Sequence, residues 1–287
     1  MMKIPVELGG IRFCFDSDRD IKVEGACGPF FCRDEAGWDI RVRVSHRFSE
    51  APRPWGPMIG EDLLTEYYRE NGLLYCLTKG GEGRTLACCT WDEKSPCMTC
   101  WVSFPEGSAA DSLGNLLRMI PLRRILLQHG VLFLHAAQIA VGGKGILFSA
   151  PSQTGKTTQA RLWSRCRGAR ILCNDRTLTD GARTFGFPMD GSEPVCSGES
   201  CTLGGITVLE QAPENTVRRL RPREALVRLM PQMVLDTWDP EASSRALQLL
   251  LTLMERVPVY LLRCTPDADA VACLERQLFK DGVITDE

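Results

Sequence analysis

The chain has 287 residues, 44% of them hydrophobic, with 34 lysines and arginines against 36 aspartates and glutamates, a formal net charge of −2. This length and apolar content suffice for one large domain or two ordinary ones and exclude disorder as the default. The scattered, near-neutral charge leaves no electrostatic footprint for nucleic acid or an anionic membrane, and no stretch approaches the roughly 20 apolar residues of a membrane span. The expected setting is therefore the cytoplasm, and the expected partner is a small molecule or a peptide.

Fourteen cysteines raise the question of disulfides or a metal. Only Cys97-Met98-Thr99-Cys100 has the CxxC form, and His46, His129 and His135 are scattered, so the spacing of a four-ligand zinc site is missing. Cys76, Cys173 and Cys264 sit in apolar runs and read as small buried hydrophobes, reduced in the cytosol.

Along the chain, the first hundred residues read as short strands at 11–15, 38–44, 73–77, 86–90 and 99–104, with the alternation Ile40, Val42, Val44 as the clearest case. Between them, Ala51-Pro52-Arg53-Pro54-Trp55-Gly56-Pro57 reads as a loop, because its prolines cannot donate to a ladder. From Asp111 the period turns helical through Leu113, Leu116, Leu117 and Ile120, resumes after Pro121, and ends at Gly130.

Beyond the connector, residues 131–141 and 146–150 form two extended runs joined by Gly142-Gly143-Lys144-Gly145, a hairpin. A helix follows over 156–167, stopped by Gly168, and then a strand over 170–173. Strand-like runs near Phe185 and over 206–209 precede a helix starting near Pro222, a long helix over 243–255, a strand over 259–264 and a helix over 267–279. Strands alternating with helices mark an α/β fold, α+β over the whole chain. The expected division is a β-rich domain over 1–108, choosing the partner or substrate, and a nucleotide domain over 109–287 that includes the helical connector 111–128.

The sharpest motif is Ala150-Pro151-Ser152-Gln153-Thr154-Gly155-Lys156-Thr157, a Walker A loop with alanine at its first glycine. Alanine there implies an ordinary backbone conformation at that position. A strand enters and a helix leaves, so the N–H groups of residues 152–157 should converge on phosphates at the positive end of the helix. The expected contacts come from Pro151, Ser152, Gln153, Thr154, Gly155, Lys156, Thr157 and Thr158. Lys156 supplies a point charge to the β and γ phosphates of ATP, and the Thr157 hydroxyl meets Mg²⁺.

Asp175 follows the strand 170–173, 19 residues after Lys156, and one helix and one strand return it to the sheet edge of the loop, as a metal ligand or proton acceptor. Glu193 and Glu199, in a stretch of glycine and serine, are further candidates for the metal. The arginines at 218, 219, 221 and 223 read as a solvated edge paired to Glu210, Glu214 and Glu224. His135, alone in its apolar run, reads as a core histidine.

In order, Leu134-His135-Ala136, the hairpin turn, residues 149–158, Asn174-Asp175-Arg176 and the strand over 205–209 resemble the HPr kinase/phosphorylase family, related in fold to the phosphoenolpyruvate carboxykinases. Residues 150–160 and Leu209-Glu210-Gln211-Ala212-Pro213-Glu214-Asn215 are most similar to a divergent bacterial branch whose members look like accessories of ribosomally made peptide pathways. The resemblance implies a P-loop domain of that type and magnesium-dependent transfer from ATP to a serine-type hydroxyl. Asp175 matches the family's catalytic aspartate, His135 its active-site histidine, and Glu199 a possible metal-side glutamate. The family's Asp-Asp-Arg is here Asn174-Asp175-Arg176, which removes one metal-facing carboxylate.

The acceptor it implies is a peptide or protein, such as a precursor peptide or a small peptide-binding protein, in a chain that could form a homo-oligomer and binds neither nucleic acid nor membrane. The alternatives are a nucleotide-gated binding module without turnover and a kinase of a free amino acid or sugar.

Overall fold

A computed structural model of the chain describes residues 2–32, 37–105, 107–108, 110–188 and 195–285. It is a mixed α/β structure with two eight-stranded mixed sheets. The chain divides into two compact units, 1–125 with 236–240, and 126–235 with 241–287.

The first unit is built on β1 (Met2–Leu8), β2 (Ile11–Ser17), β3 (Ile40–Ser45), β4 (Met58–Glu61), β5 (Thr65–Glu70), β6 (Leu73–Lys79), β7 (Thr85–Trp91) and β8 (Cys97–Val102), in the order β1-β2-β3-β8-β7-β6-β5-β4. Both β2–β3 and β3–β8 run parallel, and the remaining pairs antiparallel. The alternation read at Ile40, Val42 and Val44 buries those three and leaves Arg41 and Arg43 exposed. Hairpin β1–β2 turns at Gly9-Gly10 with φ of 62° and 81°, the left-handed pair a two-residue turn requires.

On one sheet face Cys76, Cys89 and Cys100 are cross-strand neighbours, all buried. Burial pushes the Cys76 thiol well above its ordinary value, and a hydrogen bond with Cys100 joins burial in doing so for Cys89. These buried thiols serve as small apolar side chains, as the run around Cys76 suggested. Among the described residues no disulfide joins any of the cysteines.

The division after residue 125 corrects the boundary read at 108. Helix α1 (Leu113–Met119), capped by the Ser112 hydroxyl, buries Leu113, Leu116 and Leu117 and packs on β6 and β7, so it belongs to the first unit. His46 fixes its start, with Nδ1 2.6 Å from Asp18 and Nε2 3.0 Å from the buried Asp111. The change of periodicity at residue 111 marks a change of secondary structure within one core.

Segment 236–240 belongs to the first unit for a reason no local pattern carries. Asp236 pairs with Arg123 at 2.7 Å, Asp239 pairs with Arg124, and the Trp238 ring lies 4.8 Å from that of Tyr67. Trp238 also fills the space over Gly60, where an added Cβ would stand 2.0 Å from the indole. Gly60→Ala is expected to destabilise this unit by about 1–3 kcal/mol through overpacking, read as a lower urea midpoint by tryptophan fluorescence; an unchanged midpoint would contradict the contact.

The second unit begins within α2 (Leu122–Gln128), which spans the division. Its sheet comprises β9 (Leu132–Val141), β10 (Lys144–Ser149), β11 (Arg170–Cys173), β12 (Arg176–Thr179), β13 (Arg183–Phe185), β14 (Ser200–Gln211), β15 (Thr216–Arg219) and β16 (Val259–Cys264). The order β10-β9-β12-β13-β14-β16-β15 returns on itself through a parallel β10–β14 pairing, and β11 lies on β9.

Helices cover both faces. Against one lie α4 (Pro222–Leu229) and α5 (Pro240–Arg256), packed through Ala225, Leu229, Ala246 and Leu250 on Leu134, Leu147 and Ile206. Against the other lie α3 (Lys156–Arg167) and α6 (Ala268–Lys280), packed through Ala160, Trp163 and Leu274 on Ile139, Phe148 and Leu262. Gly168, with φ of 65°, ends α3 where the sequence placed its stop. Among the described residues no helix is long and apolar enough to cross a membrane.

Candidate functional site

Register decides what meets the loop 150–155. Ser149, the last residue of β10, pairs with Ala136 on β9 and with Val208 on β14, so the loop emerges at the edge where β9 begins and β14 ends. Along β9, strands β11 and β12 run in one line, Cys173 opposite Gln138 and Arg176 opposite His135, with the ladder broken at Asn174-Asp175. The break frees the Asp175 side chain to reach the His135 ring, with Nε2 2.8 Å from Oδ1, a hydrogen bond in which the ring N–H donates to the carboxylate. Arg176 Nε lies 3.7 Å from the other oxygen.

Asp175 is held below the usual carboxylate range, first by the His135 hydrogen bond and then by the charges of His135, Arg176 and Lys156, against an opposing desolvation. The site thus contains an ionised carboxylate, 29% exposed, at the edge the loop shares.

The loop itself has a surplus of N–H groups. Lys156 Nζ donates to the carbonyls of Ala150 and Pro151 at 2.9 and 3.2 Å, and Gln211 Nε2 approaches those of Gln153 and Thr154 at 3.5 Å. With those acceptors engaged, the loop presents donors. Gln153 at φ 64° and Gly155 at φ 115° turn the backbone through the left-handed region, the kind of conformation that gathers successive N–H groups into an anion-binding concavity. Gly155 also begins α3 with no side-chain cap, so the first N–H groups of this 12-residue helix add the positive end of its dipole. Ala150 is fully buried and has no positive φ, the ordinary conformation expected of it.

Lys156 is 6% exposed, and burial lowers its pKa while the Asp175 charge opposes that shift. A buried ammonium beside a concave set of donors is costly without an anion. Two carbonyl contacts and the Asp175 field offset part of that cost.

A cavity of about 590 Å³ opens beside the loop, lined by Thr154, Gly155, Thr158, Gln211, Cys264 and Thr265 among others. Its far wall is held by Asn215, whose Oδ1 accepts from Thr265 N at 2.9 Å and whose Nδ2 donates to Asp267 at 3.0 Å. The wall side chains Gln211, Cys264 and Thr265 were missing from the sequence-derived site. Gln211 lay in the segment 209–215 and Cys264 at the end of the strand 259–264, but only the parallel pairing of β14 with β10 and β16 carries those strand ends to the loop.

Of the expected residues, Thr157 is half-buried in the first turn of α3, and Pro151, Ser152 and Thr158 are exposed around it. Glu199 is a correction. It precedes β14, whose Thr202 pairs with Lys144 at the opposite end of β10, and both its carboxylate oxygens accept from Arg170 Nη1 at 2.9 and 2.7 Å. With the length of β10 between them, Glu199 and Thr157 cannot share one ion. Glu199→Ala is accordingly expected to leave magnesium dependence of nucleotide binding unchanged in calorimetry.

Glu193 lies outside the described residues. The arginine group is a solvated edge, where Arg218 and the Arg221 N–H hold the Glu224 carboxyl down to about 2. A scan against protein-family models and a search of curated proteins find no match to this chain.

Proposed function

We propose that the second unit is a P-loop kinase domain of the HPr kinase type, which binds Mg·ATP and transfers its γ-phosphoryl group to a serine-type hydroxyl of a peptide or protein. The observation that carries this reading is the meeting, at one sheet edge, of a donor-rich loop with a buried lysine and an ionised aspartate hydrogen-bonded to histidine. Phosphoryl transfer needs little covalent chemistry from the protein, so positioning and charge stabilisation are the whole task.

In this reading the N–H groups of residues 152–157 and the Lys156 ammonium, released from its carbonyl contacts, hold the phosphate oxygens. The Thr157 hydroxyl and the Asp175 carboxylate are the oxygen donors that would hold magnesium, which would neutralise charge on the phosphates. Asp175 orients the acceptor hydroxyl and takes its proton as the oxygen–phosphorus bond forms and ADP leaves. His135 keeps that carboxylate ionised and aimed. The cavity walled by Gln211, Cys264 and Thr265 accommodates the nucleoside end.

A second reading, nucleotide-gated docking without turnover, is favoured by Asn174, a neutral side chain where two adjacent carboxylates would serve two metal ions. Incubation with γ-labelled ATP and candidate peptides, followed by location of the label, tests the kinase. Binding of Mg·ATP by calorimetry with no label transferred would favour the docking reading, and the absence of binding would remove both.

A further inference from the structure

The face of the first unit's sheet opposite its cysteine ladder carries Glu66 and Tyr68 on β5, Leu77 and Lys79 on β6 and Cys88 on β7. Segment 48–54 passes over them, tied down where Cys88 Sγ donates to the Pro52 carbonyl at 3.4 Å. Between this strap and the sheet lies a cavity of about 580 Å³, within the usual range of ligand sites, roughly 300–1,000 Å³. Pro52 and Pro54 restrict the strap's backbone, so the cavity exists before any ligand arrives and binding orders little additional chain.

The charges in it are unevenly matched. Glu66 is satisfied twice, by Lys79 at 3.1 Å and by the Tyr68 hydroxyl at 2.9 Å. Arg53 and Arg84 also line the cavity, and among the described residues no carboxylate pairs with either side chain. Three cations against one carboxylate leave an excess of two positive charges. The remaining wall is mixed, the hydroxyls of Ser49, Thr85 and Ser103 interrupting an apolar part formed by Phe48, Pro52 and Leu77. A bare inorganic anion would use the arginines and leave that wall wet, so the complementary ligand has both negative charge and an apolar body.

We propose that this cavity binds an acidic peptide segment, a glutamate or aspartate carboxylate meeting the guanidinium forks of Arg53 and Arg84 while a neighbouring apolar side chain rests on Phe48 and Leu77. The chain just beyond the strap favours a peptide over a compact ligand. Trp55, 90% exposed, leads into β4, which ends the sheet and exposes Met58 and Ile59, and so offers an extended chain both apolar surface and unpaired backbone as it leaves the cavity. Peptide binding here requires no nucleotide in the second unit.

Full-length protein titrated with fluorescein-labelled Leu-Glu-Leu-Glu-amide, followed by polarisation, is expected to show saturable binding. Its Leu-Gln-Leu-Gln counterpart and the Arg53→Ala/Arg84→Ala protein should each bind about tenfold more weakly or less. Both arginines are exposed, so the double variant should keep the wild-type circular dichroism and melting temperature. Lys156→Ala protein should bind the acidic peptide as wild type does, which separates this site from the loop of the second unit. Absence of saturable binding at millimolar protein, equal binding by the double-alanine variant, or binding of phenyl phosphate without the peptide would each overturn the proposal.

Discussion

Lys156→Ala is expected to lower nucleotide-dependent phosphoryl transfer about a thousandfold, the scale of losing one preorganised charge contact in a site shielded from water. The lysine is buried against the carbonyls of Ala150 and Pro151, so its ammonium is already desolvated and placed before a phosphate arrives. Moving it onto a γ-phosphate oxygen exchanges neutral acceptors for a charged one, and that gain grows as charge develops in transfer. Steady-state rates with saturating Mg·ATP check this, with circular dichroism confirming that α3 persists. Wild-type turnover in the variant would remove the lysine from any role on the phosphates.

Asp175→Asn should separate catalysis from binding. The amide preserves size and still accepts from the His135 ring, but it cannot take a proton, so transfer is expected to fall about 10²- to 10⁴-fold, while ATP, gripped by the loop amides and Lys156, still binds with an affinity lowered only by the weaker contact to magnesium. Unchanged transfer would exclude Asp175 as the proton acceptor, and lost ATP binding would assign it to the nucleotide instead.

The pH dependence has its origin in the same hydrogen bond. The Asp175 carboxyl is held below its ordinary value, chiefly by His135, so the base form persists at neutral pH and its activity is lost only as pH falls through that lowered value. Removing the ring in His135→Ala lets the carboxyl rise, and the acid limb of the rate profile should move to higher pH. The stability linkage has the same sign: the native interaction contributes above the unfolded-state value and disappears as pH falls through the folded one. An unmoved acid limb would show that His135 does not govern this carboxylate.

Much of the local architecture was legible in the residues. The alternation at Ile40, Val42 and Val44, the Gly142-Gly143 turn, the Gly168 stop and the strand over 259–264 all rest on short-range effects: side-chain period, left-handed glycine and cap geometry. Strands β1, β4, β5, β12 and β15 were missed, being short, interrupted by Pro5, or poor in alternating apolar residues. The place of Asp175 near the loop was legible because one residue order marks the loop, and the helix and strand after it restrict where the aspartate returns.

Tertiary structure alone decided the rest. Glu199 lies at the far end of β10 because β14 pairs in parallel with that strand, a fact set by residues some 58 positions apart, Lys144 and Thr202 among them. The return of 236–240 to the first unit depends on Arg123, Arg124 and Gly60, over 100 residues earlier. The strap cavity likewise needs Arg53 and Arg84 to line one space that neither segment encloses by itself. Sequence determined which elements form, because dihedral preferences and burial periods act within a few residues; which side chains meet was left to long-range pairing, where register and the shape of the core choose among many locally equivalent partners.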